Sequence, residues 1–210
     1  MKTNNSPFNL AIDLAVITRA QRGDLSAHEE FFKLFAKPVY NLALRLCNQK
    51  ELAEDALQNT FLKIINGINS FQCQAPFGMW LRKVAINECL ILLRKNKQLP
   101  NFISFENNDE FNNVIEFDLK EKSNDCEIHH YQVRSTLEKT LAQLPAQTRI
   151  VLLLKEVEGY SHQEIAELMG KSESYSKSLL SRAFKRLREC FATNEMNVID
   201  EVNNPEKEGS

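Results

Sequence analysis

The most informative stretch of the 210-residue chain is YSHQEIAELMGKSESYSKSLLSRAFKRLR, residues 160–188. Ser161 stands three residues before Glu164, which is the pattern of a capping box and predicts that a helix begins here. Gly170 is expected to end this short helix, and a brief turn and a longer helix follow. A short amphipathic helix, a glycine, a tight turn and a long helix together indicate a helix-turn-helix motif.

The longer helix of this motif, predicted over residues 173–191, has one apolar and one basic face. Residues 171–191 hold six basic and two acidic side chains. Lysine and arginine neutralise phosphates, and Arg182 can also form a two-pronged bond to a guanine edge. A solvated basic face of an ordinary helical bundle is the alternative interpretation. The side chains predicted to face DNA are Lys177, Ser178, Ser181, Arg182 and Lys185, with Arg188 beside them, and the packed side holds Tyr175, Leu179, Leu180, Ala183, Leu187 and Phe191.

Residues 10–95 also have the three- and four-residue apolar spacing of helices. Ser26 and Asn48 each stand three residues before a glutamate, so both are predicted to cap the start of a helix. Pro38 is expected to kink or divide the helix in which it lies. The amino-terminal half is therefore predicted to be a helical bundle.

The charge of the chain is unevenly distributed. The net charge is only -2, but eight acids and two lysines fall within residues 101–130, and five acids and one lysine within residues 192–210. The rest of the chain is therefore basic, which suits a polyanion partner. The sequence predicts an all-α protein of two small helical domains joined by a flexible acidic linker, the second domain containing the helix-turn-helix. The expected limits are 8–97 for the first domain, 98–130 for the linker, 131–192 for the second domain and 193–210 for a disordered acidic tail.

Composition argues against membrane insertion and against a disulfide framework. No run of about 18 apolar residues occurs, and the polar start of the chain is unlike a secretory signal. An odd number of scattered cysteines is typical of reduced thiols in a cytoplasmic protein. Cys126, His129 and His130 lie close together, so a metal or thiol enzyme is an alternative, but their spacing matches no closed zinc pattern. The five cysteines are Cys47, Cys73, Cys89, Cys126 and Cys190.

Three stretches carry a family resemblance. Residues 160–188 resemble the carboxy-terminal DNA-binding domain of the extracytoplasmic-function (ECF) sigma factors of bacterial RNA polymerase. AEDALQNTFLKI, residues 53–64, is similar to the helix with which that family binds core polymerase. FGMWLRKVAINECLILLRK, residues 77–95, resembles the family's promoter-melting helix. The stretches stand in the order in which the family has them.

The resemblance implies a role for the first of these helices. Its residues Asp55, Gln58 and Asn59 would bind core RNA polymerase. Asp55 and Gln58 share a helix face at a spacing of three. The apolar side chains expected to serve the core of the domain are Ala56, Phe61, Leu62 and Ile65.

The resemblance also implies contacts with promoter DNA. Residues 70–76 would form a loop that holds a flipped base of the minus-ten element, and the cost of unstacking that base would be offset by contacts to it. The residues implied at the minus-ten element are Gln72, Gln74, Arg82, Lys83 and Asn87, and those implied at the minus-thirty-five element are Lys177, Ser178, Ser181, Arg182 and Lys185. The function implied is an alternative sigma factor in the bacterial cytoplasm, without enzymatic activity or cofactor. Its expected partners are core RNA polymerase, promoter DNA and an anti-sigma factor.

Two further hypotheses remain open from the sequence. A free-standing helix-turn-helix repressor would explain residues 161–191 but not the amino-terminal bundle, and no sustained heptad predicts a dimer seam. Cys73 lies in the loop implied to bind a base, so its oxidation would alter promoter opening.

Overall fold

The computed structural model describes the backbone of residues 7–100 and 139–203 and the side chains of residues 7–100 and 139–192. Every regular element within these ranges is a helix, so the predicted all-α class is confirmed. From residue 101 onward the predicted linker lies outside the described residues, and so does the cluster of Cys126, His129 and His130. Among the described helices, none combines the length and the hydropathy needed to cross a bilayer.

The amino-terminal bundle consists of four helices. The long helices α2, α3 and α4 pack against one another, and α1 packs across the start of α2. A short 3₁₀ turn, Ile68–Ser70, follows α3. The bounds are Leu14–Gln21 for α1, Leu25–Cys47 for α2, Lys50–Gly67 for α3 and Phe77–Lys95 for α4.

Two predicted helix starts in this bundle are wrong. Asp24, not Ser26, caps α2, and its carboxylate accepts a hydrogen bond from the Ser26 amide at 2.9 Å. Hydrogen bonds from Ser26 and Arg19 lower the pKa of Asp24 to about 2. Asn48 is not the start of α3 but the end of α2, with a φ of 56°. Asparagine tolerates this left-handed conformation better than most residues do, so it can end one helix and turn the chain towards the next.

Pro38 does not divide α2, which continues unbroken through it. A proline inside a helix removes one backbone hydrogen bond, at a cost of about 3 kcal/mol. Phe35, Val39 and Leu42 on either side of it are fully buried. Burial of such side chains contributes about 2 kcal/mol each, which offsets the cost of the proline and keeps the helix continuous.

Aromatic side chains form the centre of the amino-terminal bundle. Phe31 and Phe77 stack with their ring centroids 4.3 Å apart, and Phe8 stacks on Phe35 at 6.4 Å. Gly78 permits this packing, because a Cβ at this position would overlap the carbonyl group of Phe8. The first described residues are thereby held against the start of α4.

The carboxy-terminal bundle contains the predicted helix-turn-helix. A helical stretch at residues 139–143 precedes it. The last helix continues beyond its predicted end at residue 191, since neither glycine nor proline occurs before Pro205. It thus extends into the segment predicted to be a disordered tail, and the domain limit at 192 stays a prediction. The bounds are Ala146–Leu152 for α5, which continues as a π turn over Leu153–Val157, His162–Met169 for α6 and Glu173–Asn203 for α7.

The two bundles pack against each other in this structure. One continuous cluster of buried apolar side chains includes Leu46 and Leu93 of the amino-terminal bundle and Ile150 and Leu154 of the carboxy-terminal bundle. Helices α2 and α5 are in direct contact. The surfaces that face each other between the bundles are therefore withdrawn from solvent.

Candidate functional site

The helix-turn-helix is built as the sequence predicts. The Ser161 hydroxyl accepts a hydrogen bond from the Glu164 amide at 3.2 Å, and a Glu164 carboxylate oxygen accepts one from the Ser161 amide at 2.6 Å. Gly170 ends α6 with a φ of 62°. The Lys171 amide then donates to the Ala166 carbonyl at 2.9 Å, which closes the turn. The capping box and the glycine are both confirmed.

The two faces of α7 are also confirmed. Leu179 and Ala183 are buried against the rest of the bundle, and Leu180 is partly buried. The five side chains predicted to contact the minus-thirty-five element all lie exposed on the other side: Lys177, Ser178, Ser181, Arg182 and Lys185. Their contacts with DNA stay predictions, but the structure leaves this face open.

Acidic neighbours reduce the charge that the lysines of α7 present. Lys177 pairs with Glu173 at 2.8 Å, and Lys185 lies 4.0 Å from Glu189. The hydrogen bond from Lys177 lowers the pKa of Glu173. Within the described residues no carboxylate forms an ion pair with Arg182, so its guanidinium is available for an acceptor such as a phosphate or a guanine edge.

Two polar contacts that sequence reasoning missed hold α7 in place. His162 Nδ1 lies 2.9 Å from the hydroxyl of Ser176, which is buried. Burial and the nearby Lys155 and Lys177 lower the pKa of His162. The Tyr175 hydroxyl donates a hydrogen bond to the Gln147 side chain of α5. Both contacts join residues of different helices, 14 and 28 positions apart, so the spacing of residues within one helix does not predict them.

The residues predicted to bind polymerase lie on the outer face of α3. Asp55 and Gln58 are exposed, and Asn59 is partly buried. The prediction that four apolar residues serve the core is right for Ala56 and Phe61, which are buried, and wrong for the other two. Leu62 is 58% exposed and Ile65 45% exposed, since α3 packs on α2 and α4 through its opposite side. The result is a mixed polar and apolar surface.

The loop predicted to bind a flipped base is open to solvent. Gln72, Cys73 and Gln74 are exposed, and the Gln74 amide donates to the Gln72 side chain at 2.9 Å. Cys73 has a φ of 57°, which is rare for a residue with a side chain. Gln21 of α1, which sequence reasoning missed, donates to the carbonyl groups of Ile68 at 3.2 Å and Phe71 at 3.1 Å and so fixes the start of the loop.

The residues of α4 that are predicted to bind the minus-ten element are less accessible to solvent than this loop. Lys83 and Asn87 are partly buried, whereas Arg82 is only 3% exposed. Arg82 Nε lies 2.6 Å from a carboxylate oxygen of Glu158, in the carboxy-terminal bundle. A DNA contact by Arg82 stays a prediction, and in this packing of the bundles its guanidinium is turned away from solvent.

Arg82 has several contacts in addition to this ion pair. It donates to the backbone carbonyl of Glu158, and its guanidinium lies 5.8 Å from the centre of the Tyr160 ring. The other carboxylate oxygen of Glu158 lies 3.3 Å from Arg45 of α2. Burial raises the pKa of Tyr160, so its hydroxyl remains neutral at physiological pH. We name the group of Arg45, Arg82, Glu158 and Tyr160 the interbundle clamp.

Two further arginines each cap a helix of the opposite bundle. Arg94 of α4 donates to the Leu168 carbonyl at 2.7 Å, near the end of α6. Arg149 of α5 is buried and donates to the Leu46 carbonyl at 3.4 Å, at the end of α2, and to the Leu144 carbonyl at 3.1 Å. Carbonyl groups at a helix end lack partners within the helix and carry partial negative charge, which suits a guanidinium. No sequence signal pointed to these contacts.

The alternative of a metal or thiol site gains no support from the described residues, among which no cluster of ligands could hold a metal ion. Cys47 and Cys89 are buried next to each other. The hydrogen bond with Cys47 and burial raise the pKa of Cys89. Cys73 is exposed, and its role in redox control remains a hypothesis.

Comparison with known proteins identifies two domains, in the same order as the two helical bundles. The Sigma-70 region 2 family model matches residues 31–98 and the Sigma-70 region 4 model matches residues 134–187, together more than half of the chain. The RNA polymerase sigma-H factor of Pseudomonas aeruginosa is 26% identical over 174 residues, which cover 81% of this chain and 89% of that protein. The ECF RNA polymerase sigma factor SigM of Bacillus subtilis is 26% identical over 163 residues, covering 78% of this chain and 94% of that protein.

A solved structure of CnrH in complex with the cytosolic domain of CnrY is 18% identical, with a TM-score of 0.49, and the match covers 85% of this chain and 96% of that chain. The helix-turn-helix of residues 160–188 and the two family models point to one assignment. The chain belongs to the sigma-70 family of RNA polymerase sigma factors, in the ECF group, with a region 2 domain followed by a region 4 domain.

Proposed function

We propose that this protein is an alternative sigma factor that binds core RNA polymerase and directs it to a restricted set of promoters. The observation that carries the proposal is the occurrence of both sigma domains in one chain, in the family's order. A repressor needs a DNA-binding domain only, and the region 2 domain would then have no role.

The face of α3 is the proposed contact with polymerase. Asp55, Gln58 and Asn59 lie beside Leu62 and Ile65, whose apolar side chains are 58% and 45% exposed. Exposed apolar residues rimmed by polar ones are typical of protein interfaces. We propose that this face docks on core polymerase.

Promoter recognition is proposed to use both domains. The basic face of α7 would read the minus-thirty-five element in the major groove, and residues 70–76 with Lys83, Asn87 and Arg82 would bind the minus-ten element. Polymerase would hold the two domains at a fixed separation, which raises the effective concentration of the second site once the first is bound. Coupled binding of this kind needs no catalytic residue and no cofactor, so the protein is not an enzyme in this proposal.

The proposed domain limits are those that the sequence predicts, 8–97 for region 2, 98–130 for the linker, 131–192 for region 4 and 193–210 for the tail. We further propose that the protein acts in the bacterial cytoplasm, where its polymerase and DNA are. Control by an anti-sigma factor is the usual arrangement in the family that the chain resembles, and we propose it here.

The proposal is tested by transcription from a promoter library with purified core polymerase, with and without the protein. We expect promoter-specific transcripts that require both components. Leu62→Ser should weaken binding to core polymerase about tenfold, since it removes one exposed apolar side chain from the docking face. The matched control Leu25→Ser, at a leucine that is 80% exposed at the start of α2, should bind as the original protein does.

The contrary result would be tight, specific DNA binding by the protein alone together with no association with core polymerase. That outcome would remove the sigma function and leave a repressor as the better account. Equal loss of polymerase binding in the Leu62 and Leu25 variants would leave the function standing but refute the docking face on α3.

A further inference from the structure

We propose that Glu158 is an internal competitor of promoter DNA, whose carboxylate occupies on region 2 the position that a DNA phosphate takes at Arg82. The inference rests on the proposed function, since it concerns the DNA-binding surface of a sigma factor. It predicts a closed form, in which the interbundle clamp is made, and an open form, in which Arg82 is presented to the minus-ten DNA.

The contacts of Glu158 resemble those of a bound anion. One carboxylate oxygen lies 2.6 Å from Arg82 and the other 3.3 Å from Arg45, so two cations of region 2 enclose a single anionic group of region 4. The Glu158 side chain is only 7% exposed. The planar fork of donors in a guanidinium group binds oxygens of carboxylates and of phosphates alike, so the occupant of this position can be exchanged for a phosphate.

The local backbone structure places the Glu158 side chain between Arg82 and Arg45. The residue follows the π turn Leu153–Val157, and its amide donates to the Leu153 carbonyl at 2.9 Å. Gly159 then takes a φ of 77°, and the Tyr160 amide donates to the Leu154 carbonyl at 2.9 Å. Single π turns inside helices are rare and frequent at functional sites. The turn brings Glu158 and the Tyr160 ring to the same guanidinium.

The pair is suited to reversible opening. Removing two charges from water costs about as much as their attraction returns, so a buried ion pair by itself holds two surfaces together only weakly. A competing polyanion that supplies phosphate to Arg82 can therefore shift the balance. Besides the apolar cluster that the bundles share, Arg94 and Arg149 link them through hydrogen bonds to helix ends, and water can replace these bonds when the bundles part.

Closure affects the two DNA-binding surfaces differently. Arg82 is covered in the closed form, whereas Lys177, Ser181 and Arg182 on α7 remain exposed. The closed protein is thus expected to bind minus-thirty-five DNA normally and minus-ten DNA poorly. This asymmetry is what the experiment measures.

The test compares Glu158→Gln with Glu156→Gln, an exposed acid two residues earlier in the same turn. Both changes remove one negative charge, but only the first weakens the clamp, because it removes the carboxylate that Arg82 and Arg45 contact in the closed form. The probes are single-stranded DNA of a minus-ten sequence and duplex DNA of a minus-thirty-five sequence, both taken from promoters selected in the transcription assay. Affinity is measured by fluorescence anisotropy, and opening by hydrogen exchange of the amides around residues 158–160.

We expect Glu158→Gln to bind the single strand at least about fivefold more tightly, because a larger fraction of molecules is open, with faster exchange at residues 158–160. Its affinity for the duplex should stay within about twofold of the original, and Glu156→Gln should match the original protein on both probes. If Glu158→Gln gains nothing on the single strand, or gains equally on both DNAs, the proposal is overturned.

A second variant keeps the test decisive if Glu158→Gln does not fold. Arg45→Gln removes the outer arginine of the clamp, which is 49% exposed, and leaves the buried pair in place. It should increase affinity for the single strand about twofold, and no increase would also overturn the proposal. Promoter-specific transcription by the original protein with core polymerase tests the sigma function separately, so a failure of this inference can be distinguished from a failure of the sigma function.

Discussion

Arg82 and Arg182 lie on helices of the two domains and have opposite surroundings. Arg182 stands on the open face of α7, whereas Arg82 is buried against Glu158, 76 residues further along the chain. The same type of side chain is therefore available to DNA in region 4 and withheld from it in region 2. The comparison teaches that a helix face predicted to bind DNA is accessible only if the rest of the chain leaves it uncovered.

The largest effect is expected from a change at Arg149, which belongs to region 4 and donates a hydrogen bond to region 2. Arg149→Met keeps most of the volume but removes the donors to the carbonyl groups of Leu46 and Leu144. We expect a loss of about 3 kcal/mol in the free energy of unfolding in urea, since buried carbonyl groups lose their charged partner. The control Arg22→Met, at an exposed arginine, should change stability by less than about 0.5 kcal/mol. Equal effects in the two variants would show that the hydrogen bonds of Arg149 contribute nothing to stability.

The next largest effect is expected from Arg182, on the exposed face of α7. Arg182→Ala should reduce binding to the selected minus-thirty-five duplex by about 2 kcal/mol, or roughly 30-fold, if its guanidinium reads a base. Binding to a duplex with a mismatch at that base should change much less, and Arg22→Ala should have no effect on either. A uniform loss on all duplexes would show instead that Arg182 contacts only phosphate.

A smaller effect should come from the acid that pairs with Lys177. Glu173→Gln leaves the lysine free to neutralise a phosphate, because the 2.8 Å ion pair is lost. We expect the slope of log affinity against log salt for duplex DNA to become steeper by about 1, with a gain of a few fold in affinity at low salt. Glu167→Gln, at an exposed acid of α6, is the matched control and should leave the slope unchanged. An unchanged slope for Glu173→Gln would mean that Lys177 does not contact DNA.

The smallest effect is a dependence of stability on pH from His162. Burial lowers its pKa in the folded protein below the ordinary value of 6.5, so the unfolded chain takes up a proton more readily. The contribution of His162 to stability is therefore complete above about pH 6.5 and is lost as the pH falls through the folded pKa. NMR titration should give His162 a pKa below 6.5, and His162→Gln should remove this part of the pH dependence of unfolding. A titration at or above 6.5 would contradict the partial burial of His162 beside Lys155 and Lys177.

The face of α3 is a third case beside the covered Arg82 and the exposed Arg182. Spacing put Asp55 and Gln58 on one face, which is exposed, and it correctly assigned Ala56 and Phe61 to the core, but it also assigned Leu62 and Ile65 to the core. Apolar residues recur at helical spacing on any face that becomes buried, whether in the core of the fold or in a complex. A docking face and a core face are alike in sequence, and only the packing of α3 on α2 and α4 separates them.

The sequence by itself determined the helices of the helix-turn-helix and their faces, since the capping box of Ser161, the left-handed Gly170 and the alternation along α7 are interactions between near neighbours. The tertiary structure alone decided that Asn48 ends a helix, that Arg94 and Arg149 cap helices of the opposite bundle, and that Arg82 is paired with Glu158. The physical reason is the range of the interactions. Caps and faces are set within one or two turns of a helix, whereas burial of a charge depends on partners that only the folding of the whole chain brings near.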